Sequence, residues 1–168
     1  GNGDRTFPAQ NAFADAEVDD MITAGIHVVI AAGNDFYKID TITGADYNNT
    51  FLINGTTYNY HRGSSPNSDT AIKVGAIDTA TIDDGGSYKD KTATYTNRGP
   101  AVDIFAPGNN IQAASSTTTA YNIADYPTDS DYNITNIDGT SFAAPQVVGV
   151  MALHAQLRPD LTPAQLKS

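Results

Sequence analysis

The string Gly139-Thr140-Ser141-Phe142-Ala143-Ala144-Pro145 opens a strongly apolar segment that has helical spacing to about Leu157. A serine on the first turn of a helix has its hydroxyl and its backbone N–H beside the positive end of the helix dipole. Gly139 leaves room for the backbone of a bound molecule, and Pro145 is expected near the helix start, where a missing N–H costs least. Ser141 is therefore a candidate nucleophile, and an ordinary N-terminal serine cap is the alternative.

A second candidate is Asn34, which ends the string Ala31-Ala32-Gly33-Asn34. The run Ile26–Ala32 is apolar and rich in β-branched residues, and it predicts a parallel strand buried on both faces. Ligands of parallel α/β sheets bind at the carboxyl ends of the strands. The Asn34 side chain could therefore direct its NH₂ group into a cleft, and a simple asparagine turn is the alternative.

The elements that must position these residues alternate between helix and strand, which predicts an α/β fold with a mostly parallel sheet. A helix is predicted from Asn11 to Ala24, a hairpin around Asn54-Gly55, a core strand over Ile72–Ile77, and a capped helix start at Thr162-Pro163. Three short strands are predicted at Thr92–Thr96, Val102–Phe105 and Asn110–Ala113, and a polar loop from Ser115 to Asn136.

Composition excludes several functions. The formal net charge is −10, with 9 Lys and Arg residues spread thinly, so neither nucleic acid nor an anionic membrane surface is expected as a partner. No apolar stretch is long enough to predict a membrane span, and the absence of cysteine excludes disulfides and thiolate metal sites.

Taken together and in this order, these strings resemble the subtilisin family of serine proteases (subtilases, peptidase S8). The resemblance runs through residues 24–34, Ile72–Asp78, Asn97-Arg98-Gly99-Pro100 and Val102–Gly108 to the serine motif. It implies a three-layer α/β/α subtilisin-like fold, of which residues 1–168 would be the C-terminal portion of one domain and residues 35–68 an insertion loop.

The resemblance also implies roles for single residues. Ser141 would be the nucleophile of a serine endopeptidase, and the Asn34 side chain would help to hold the oxyanion. Ala31, Ala32 and Gly33 would line the pocket for the residue that precedes the cut. A protein or peptide would be the substrate, and the protein would be secreted.

One departure is that the family's triad Asp and His come before the oxyanion Asn in the chain, whereas the only histidine before Asn34 here is His27, in the middle of an apolar run and unlike the family's catalytic His. A complementary N-terminal half is therefore expected to supply both residues, and the chain alone is expected to be inactive. A non-catalytic binding or structural module is the alternative function.

Three smaller expectations concern Gln146, cofactors and calcium. Gln146 stands where the family usually has a non-catalytic His, a change that should be tolerated. No cofactor is required for the chemistry. The segment Asp129-Ser130-Asp131-Tyr132-Asn133 leaves two alternatives. It resembles the start of a calcium-binding loop, which favours structural calcium. It lacks the glycine and glutamate of such a loop, which favours a solvated acidic loop.

Overall fold

A computed structural model describes residues 7–78, 90–116, 123–126 and 129–168 of the chain, with side chains left out at 123–126 and 129–130. Its elements follow in chain order: α1 (Ala12–Thr23), β1 (Val29–Ala31), β2 (Thr50–Ile53), β3 (Thr56–Asn59), β4 (Ile72–Asp78), β5 (Lys91–Thr92), β6 (Ile104–Pro107), β7 (Ile111–Ser115), β8 (Ile123–Tyr126), β9 (Asp129–Ile137), α2 (Thr140–Leu157) and α3 (Pro163–Lys167).

The main sheet is built around β4. Strands β1 and β6 pair with β4 in parallel, and β5 pairs with it in the antiparallel sense. The predicted α/β class with a mostly parallel sheet is confirmed. Strand β1 is shorter than the predicted run and only half-buried, because no strand lies along its outer edge in the described part of the chain.

The core lies between this sheet and α2. It joins alternate residues of β4 to the inner face of the helix and consists of Ile72, Val74, Ala76, Ala93, Ala106, Ala143 and Val147. Small side chains dominate this set, so the helix can pack closely on the sheet. Helix α2 is thereby packed along the face of the sheet, and its first residue, Thr140, is hydrogen-bonded to the loop that follows β1.

The predicted hairpin is confirmed, whereas the predicted polar loop is not. Strands β2 and β3 form the predicted hairpin, with Asn54 and Gly55 both at positive φ. The prediction of a polar loop from Ser115 to Asn136 is wrong for the described part of that range, because β8 and β9 form an antiparallel sheet with β7 there. Its remaining positions, 117–122 and 127–128, lie outside the described residues.

The Lys167 ammonium group ties the last helix to the segments that lead into β4 and β6. The Lys167 Nζ donates to the carbonyl oxygens of Asp69 and Ala71, at 2.7 Å each, and lies 3.1 Å from Asp103 Oδ2. The neighbouring Lys73 is buried, and burial lowers the pKa of its ammonium although Asp69 acts in the opposite direction.

Candidate active site

The loop that follows β1 brings Asn34 to the start of α2. The Ala32 N–H still donates to the Val74 carbonyl at 2.9 Å, and the chain then turns at Gly33, which has φ +102°. The Gly33 N–H donates to Thr140 Oγ1 at 3.1 Å. Asn34 and Ser141 are 107 positions apart in the sequence. Their two segments are therefore joined through Thr140.

Thr140 fixes the orientation of the Asn34 amide. Its backbone N–H and its hydroxyl both donate to Asn34 Oδ1, each at 2.9 Å, and Thr140 itself is 1 % exposed. Because the amide oxygen is taken up by these donors, the NH₂ group of Asn34 is the part that remains for a ligand. Sequence reasoning missed this role of Thr140, whose signal was its place between Gly139 and Ser141.

The space beside Gly139 is bordered by both candidate residues. A Cβ atom placed on Gly139 would lie 3.1 Å from Ser141 Oγ and 3.6 Å from Asn34 Nδ2, and the φ of Gly139 is +154°. A side chain at this position would therefore crowd the nucleophile and the amide. The glycine keeps open the point at which the two groups converge.

The N–H groups at the start of α2 provide a second donor. The Thr140 N–H bonds to Asn34 and the Phe142 N–H bonds to the Gly139 carbonyl, at 3.0 Å. The Ser141 N–H lies between them and has no partner within the described ranges. The first N–H groups of a helix lack intrahelical acceptors, so this one is available to a bound oxygen.

Pro145 lies deeper in the helix than expected. Because α2 begins at Thr140, Pro145 is beyond the first turn, and its missing N–H leaves the Ser141 carbonyl without the usual helical bond. The side chain of Gln146, at the position where the family usually has His, donates to the carbonyls of Pro107 and Phe142 at 2.6 and 2.9 Å. It therefore ties the helix to β6 next to the proline.

Backbone contacts hold the loop that precedes Ser141. The Gly139 N–H donates to the Gly108 carbonyl at 2.8 Å, and the Tyr95 hydroxyl donates to the same oxygen. Burial raises the pKa of Tyr95 further above neutral pH, where a tyrosine hydroxyl is already protonated and able to donate. Asp138 Oδ1 accepts from the Asn110 N–H at 2.6 Å.

The predicted pocket residues lie next to Asn34 along the chain. Ala31 ends β1, and the Ala32 side chain packs with Ile39 and Ala101 in a small second cluster, so only the backbone of Ala32 can face a ligand. Their role in binding the residue before the cut stays a prediction.

The three histidines have other surroundings. His61 Nδ1 lies 2.8 Å from the Lys38 carbonyl, and the Nδ1 of His27 is buried with no hydrogen-bond partner among the described residues. His154 is 13 residues further along α2 than Ser141, which is about 20 Å at the rise of an α-helix. Within the described ranges, Ser141 Oγ has no hydrogen bond to a histidine.

Across the described ranges no group of three or more His, Asp or Glu residues could hold a metal ion. The acidic segment singled out for calcium lies in the extended strand β9, so it is not a loop, and structural calcium stays a prediction. None of the described helices has the length and hydropathy needed to cross a bilayer.

Two fungal proteins named as subtilisin-like proteases are similar to this chain in sequence. Subtilisin-like protease 8 of Arthroderma otae is 30% identical over 162 residues, which is 91% of this chain and 24% of the relative. Subtilisin-like serine protease Pen ch 18 of Penicillium rubens is 31% identical over 163 residues, covering 92% of this chain and 24% of that protein. The chain thus spans about a quarter of the length of these relatives.

Solved structures show the same fold. A cold-adapted subtilisin-like serine proteinase aligns with a TM-score of 0.61 and 26% identity, over 95% of this chain and 42% of that structure. Fervidolysin from Fervidobacterium pennivorans aligns with a TM-score of 0.60 at 22% identity, over 91% of this chain and 19% of that chain, and supports the fold alone. The predicted partial subtilisin-like α/β fold is thereby confirmed.

The profile of the Subtilase family, peptidase S8, matches residues 2–168. Since this match covers nearly the whole chain, the protein belongs to the subtilase family.

Proposed function

We propose that this chain supplies the nucleophile and the oxyanion donors of a serine endopeptidase. The observation that carries the proposal is the pair of hydrogen bonds from Thr140 to Asn34 Oδ1, which turns the Asn34 NH₂ group toward the open space beside Ser141. A preorganised amide donor next to an exposed serine on a helix start is the arrangement that acyl transfer needs.

The proposed chemistry begins with attack of Ser141 Oγ on the carbonyl carbon of a peptide bond. The hydroxyl proton passes to a histidine base, and the carbonyl oxygen takes up the negative charge. The Asn34 NH₂ group and the Ser141 N–H donate to that oxygen. The C–N bond then breaks, the amine leaves with the proton from the base, and water hydrolyses the acyl-enzyme.

The aspartate and histidine of the triad are proposed to come from another segment, in the same polypeptide or in a second chain. Relatives that carry the name of subtilisin-like proteases are about four times as long as the matched region. An isolated serine hydroxyl is a weak nucleophile without an adjacent base. The chain alone is therefore expected to lack proteolytic activity, and its substrates are proposed to be proteins or peptides.

A fluorophosphonate probe read by intact mass tests the proposal. In the complete protease, formed by this chain with the segment that carries the Asp and His, we expect one adduct on Ser141. The Ser141→Ala variant should take up no probe. Ser64→Ala, which removes another exposed serine, should label like the wild type.

The remaining outcomes are also informative. Labelling of the chain alone at Ser141 would show that it contains its own base, against the proposal that the base comes from elsewhere. A complete protein in which Ser141 stays unlabelled would overturn the catalytic role and favour a non-catalytic module.

The protein is also proposed to be extracellular. Immunodetection of the protein in culture medium and in cell lysate compares the two locations.

A further inference from the structure

We propose that Asn97 is a positioning residue that holds the Asn34 loop in the shape required for oxyanion binding. The inference rests on the proposed function and adds to it a residue that does not touch the substrate. It starts from the unusual environment of Asn97, which is 2 % exposed although it lies in a polar, turn-like segment of the sequence.

The side chain of Asn97 binds the backbone on both sides of Asn34. Its Oδ1 accepts from the N–H groups of Asp35 and Tyr37, at 3.1 and 2.8 Å. Its Nδ2 donates to the Ala32 carbonyl at 2.8 Å. Both ends of the amide are therefore used, and every one of these bonds goes to the loop that carries Asn34.

The backbone around Asn97 continues the same contact. The Asn97 N–H donates to the Gly33 carbonyl at 2.9 Å, and the Arg98 N–H donates to the Tyr37 carbonyl at 2.8 Å. The fit is close, because a Cβ atom on Gly33 would lie 2.4 Å from Asn97 Nδ2. Asn97 thus occupies the space that a side chain at position 33 would need.

Asn34 is held from two directions as a result. Thr140 fixes the orientation of its amide, and Asn97 fixes the backbone from which that amide projects. Asn34 is itself exposed, so packing does not position it. An oxyanion donor must be in place before the charge develops, and a displacement of about 1 Å can cost up to 10²-fold in rate.

The first test does not depend on activity. Amide hydrogen exchange on the chain should be about tenfold or more faster at Asp35 and Tyr37 in Asn97→Ala than in the wild type, because both N–H groups lose their acceptor. Thr96→Ala is the matched control: the hydroxyl of this buried neighbour accepts from the Ala76 N–H of β4 and donates to the Asn97 carbonyl, so its loss leaves every bond of the Asn97 side chain in place. It should leave the exchange of Asp35 and Tyr37 nearly unchanged relative to global unfolding.

The second test is a double-mutant cycle in the complete protease. We expect Asn97→Ala to lower kcat by about 10- to 100-fold with little change in KM, while Thr96→Ala changes kcat by less than about threefold. In an Asn34→Ala background, adding Asn97→Ala should cost less than about twofold in kcat, because the donor that Asn97 positions is already gone.

The outcomes separate this inference from the proposed function. Unchanged exchange at Asp35 and Tyr37, or additive losses in the cycle, would overturn the positioning role. Full activity of Asn34→Ala would instead remove the proposed oxyanion role of Asn34. An Asn97→Ala effect equal to that of Thr96→Ala in both tests would reduce Asn97 to a general structural residue and also overturn the inference.

Discussion

At the scale of single residues, Thr140 connects the two parts of the candidate site. Its hydroxyl donates to Asn34 Oδ1 and accepts from the Gly33 N–H, so one buried group serves two partners. Valine has the same shape as threonine but can neither donate nor accept a hydrogen bond, whereas serine keeps the hydroxyl and loses a methyl group. The two substitutions at this position therefore separate hydrogen bonding from packing.

We expect Thr140→Val to lower the free energy of unfolding by about 1–3 kcal/mol, because the Gly33 N–H is left without an acceptor. Urea unfolding measures this loss, and amide exchange at Gly33 should accelerate in the same variant. Thr140→Ser should lose about 1 kcal/mol from packing and keep the slow exchange of Gly33. Fast exchange of Gly33 in both variants would contradict the assigned bonds.

Asn34 and Ser141 could be singled out as candidate site residues because each lies within a distinctive local string. Asn97 and Thr140 were not singled out as site residues. The four bonds around Asn97 reach residues about 60 positions away, and no local pattern encodes them. Thr140 is adjacent to the nucleophile, but its contact with Asn34 depends on how α2 packs on the sheet.

At the scale of elements, α1 shows how local sequence ends a helix. The Gly25 N–H donates to the Ile22 carbonyl and the Ile26 N–H donates to the Met21 carbonyl, at 2.9 and 3.0 Å. This is the Schellman arrangement, and Gly25 has the positive φ of +88° that it requires. Gly149 in α2 lies in ordinary helical conformation, and a Cβ atom at either glycine would meet nothing within 4 Å.

These two glycines therefore predict opposite effects of the same substitution. Gly25→Ala should lower the free energy of unfolding by about 1 kcal/mol, because alanine is strained in the left-handed region. Gly149→Ala should raise it by about 0.5–1 kcal/mol, because alanine favours the helix. Urea unfolding of both variants measures these changes. A lower free energy of unfolding in both variants would mean that the helix around Gly149 is not as described.

At the scale of the whole molecule, α2 has an apolar outer surface that nothing covers within the described ranges. Val150, Leu153 and Leu157 are 68%, 66% and 79% exposed, and their spacing places them along one stripe of the helix. The outer edge of β1 also lacks a strand in this part of the chain. Such surfaces usually mark an interface, which is consistent with the proposal that another segment completes the active site.

We expect the chain alone to self-associate through this stripe as concentration rises, with sedimentation velocity as the measurement. Leu153→Glu should shift the distribution toward monomer, because it places a charge in the stripe. Phe13→Glu is the control, since Phe13 is 86% exposed on α1 and lies outside the stripe. A monomer at every concentration would contradict the prediction.

The sequence by itself determined the family, the α/β class, the helix and hairpin signals, and the two chemical groups Asn34 and Ser141. These depend on local strings and on the order of elements along the chain. Only the tertiary structure decided that Thr140 orients the Asn34 amide, that Asn97 binds the loop around it, and that part of the predicted polar loop pairs as β8 and β9. The physical reason is that hydrogen bonds between distant segments depend on how the sheet and α2 pack, which no single stretch of sequence specifies.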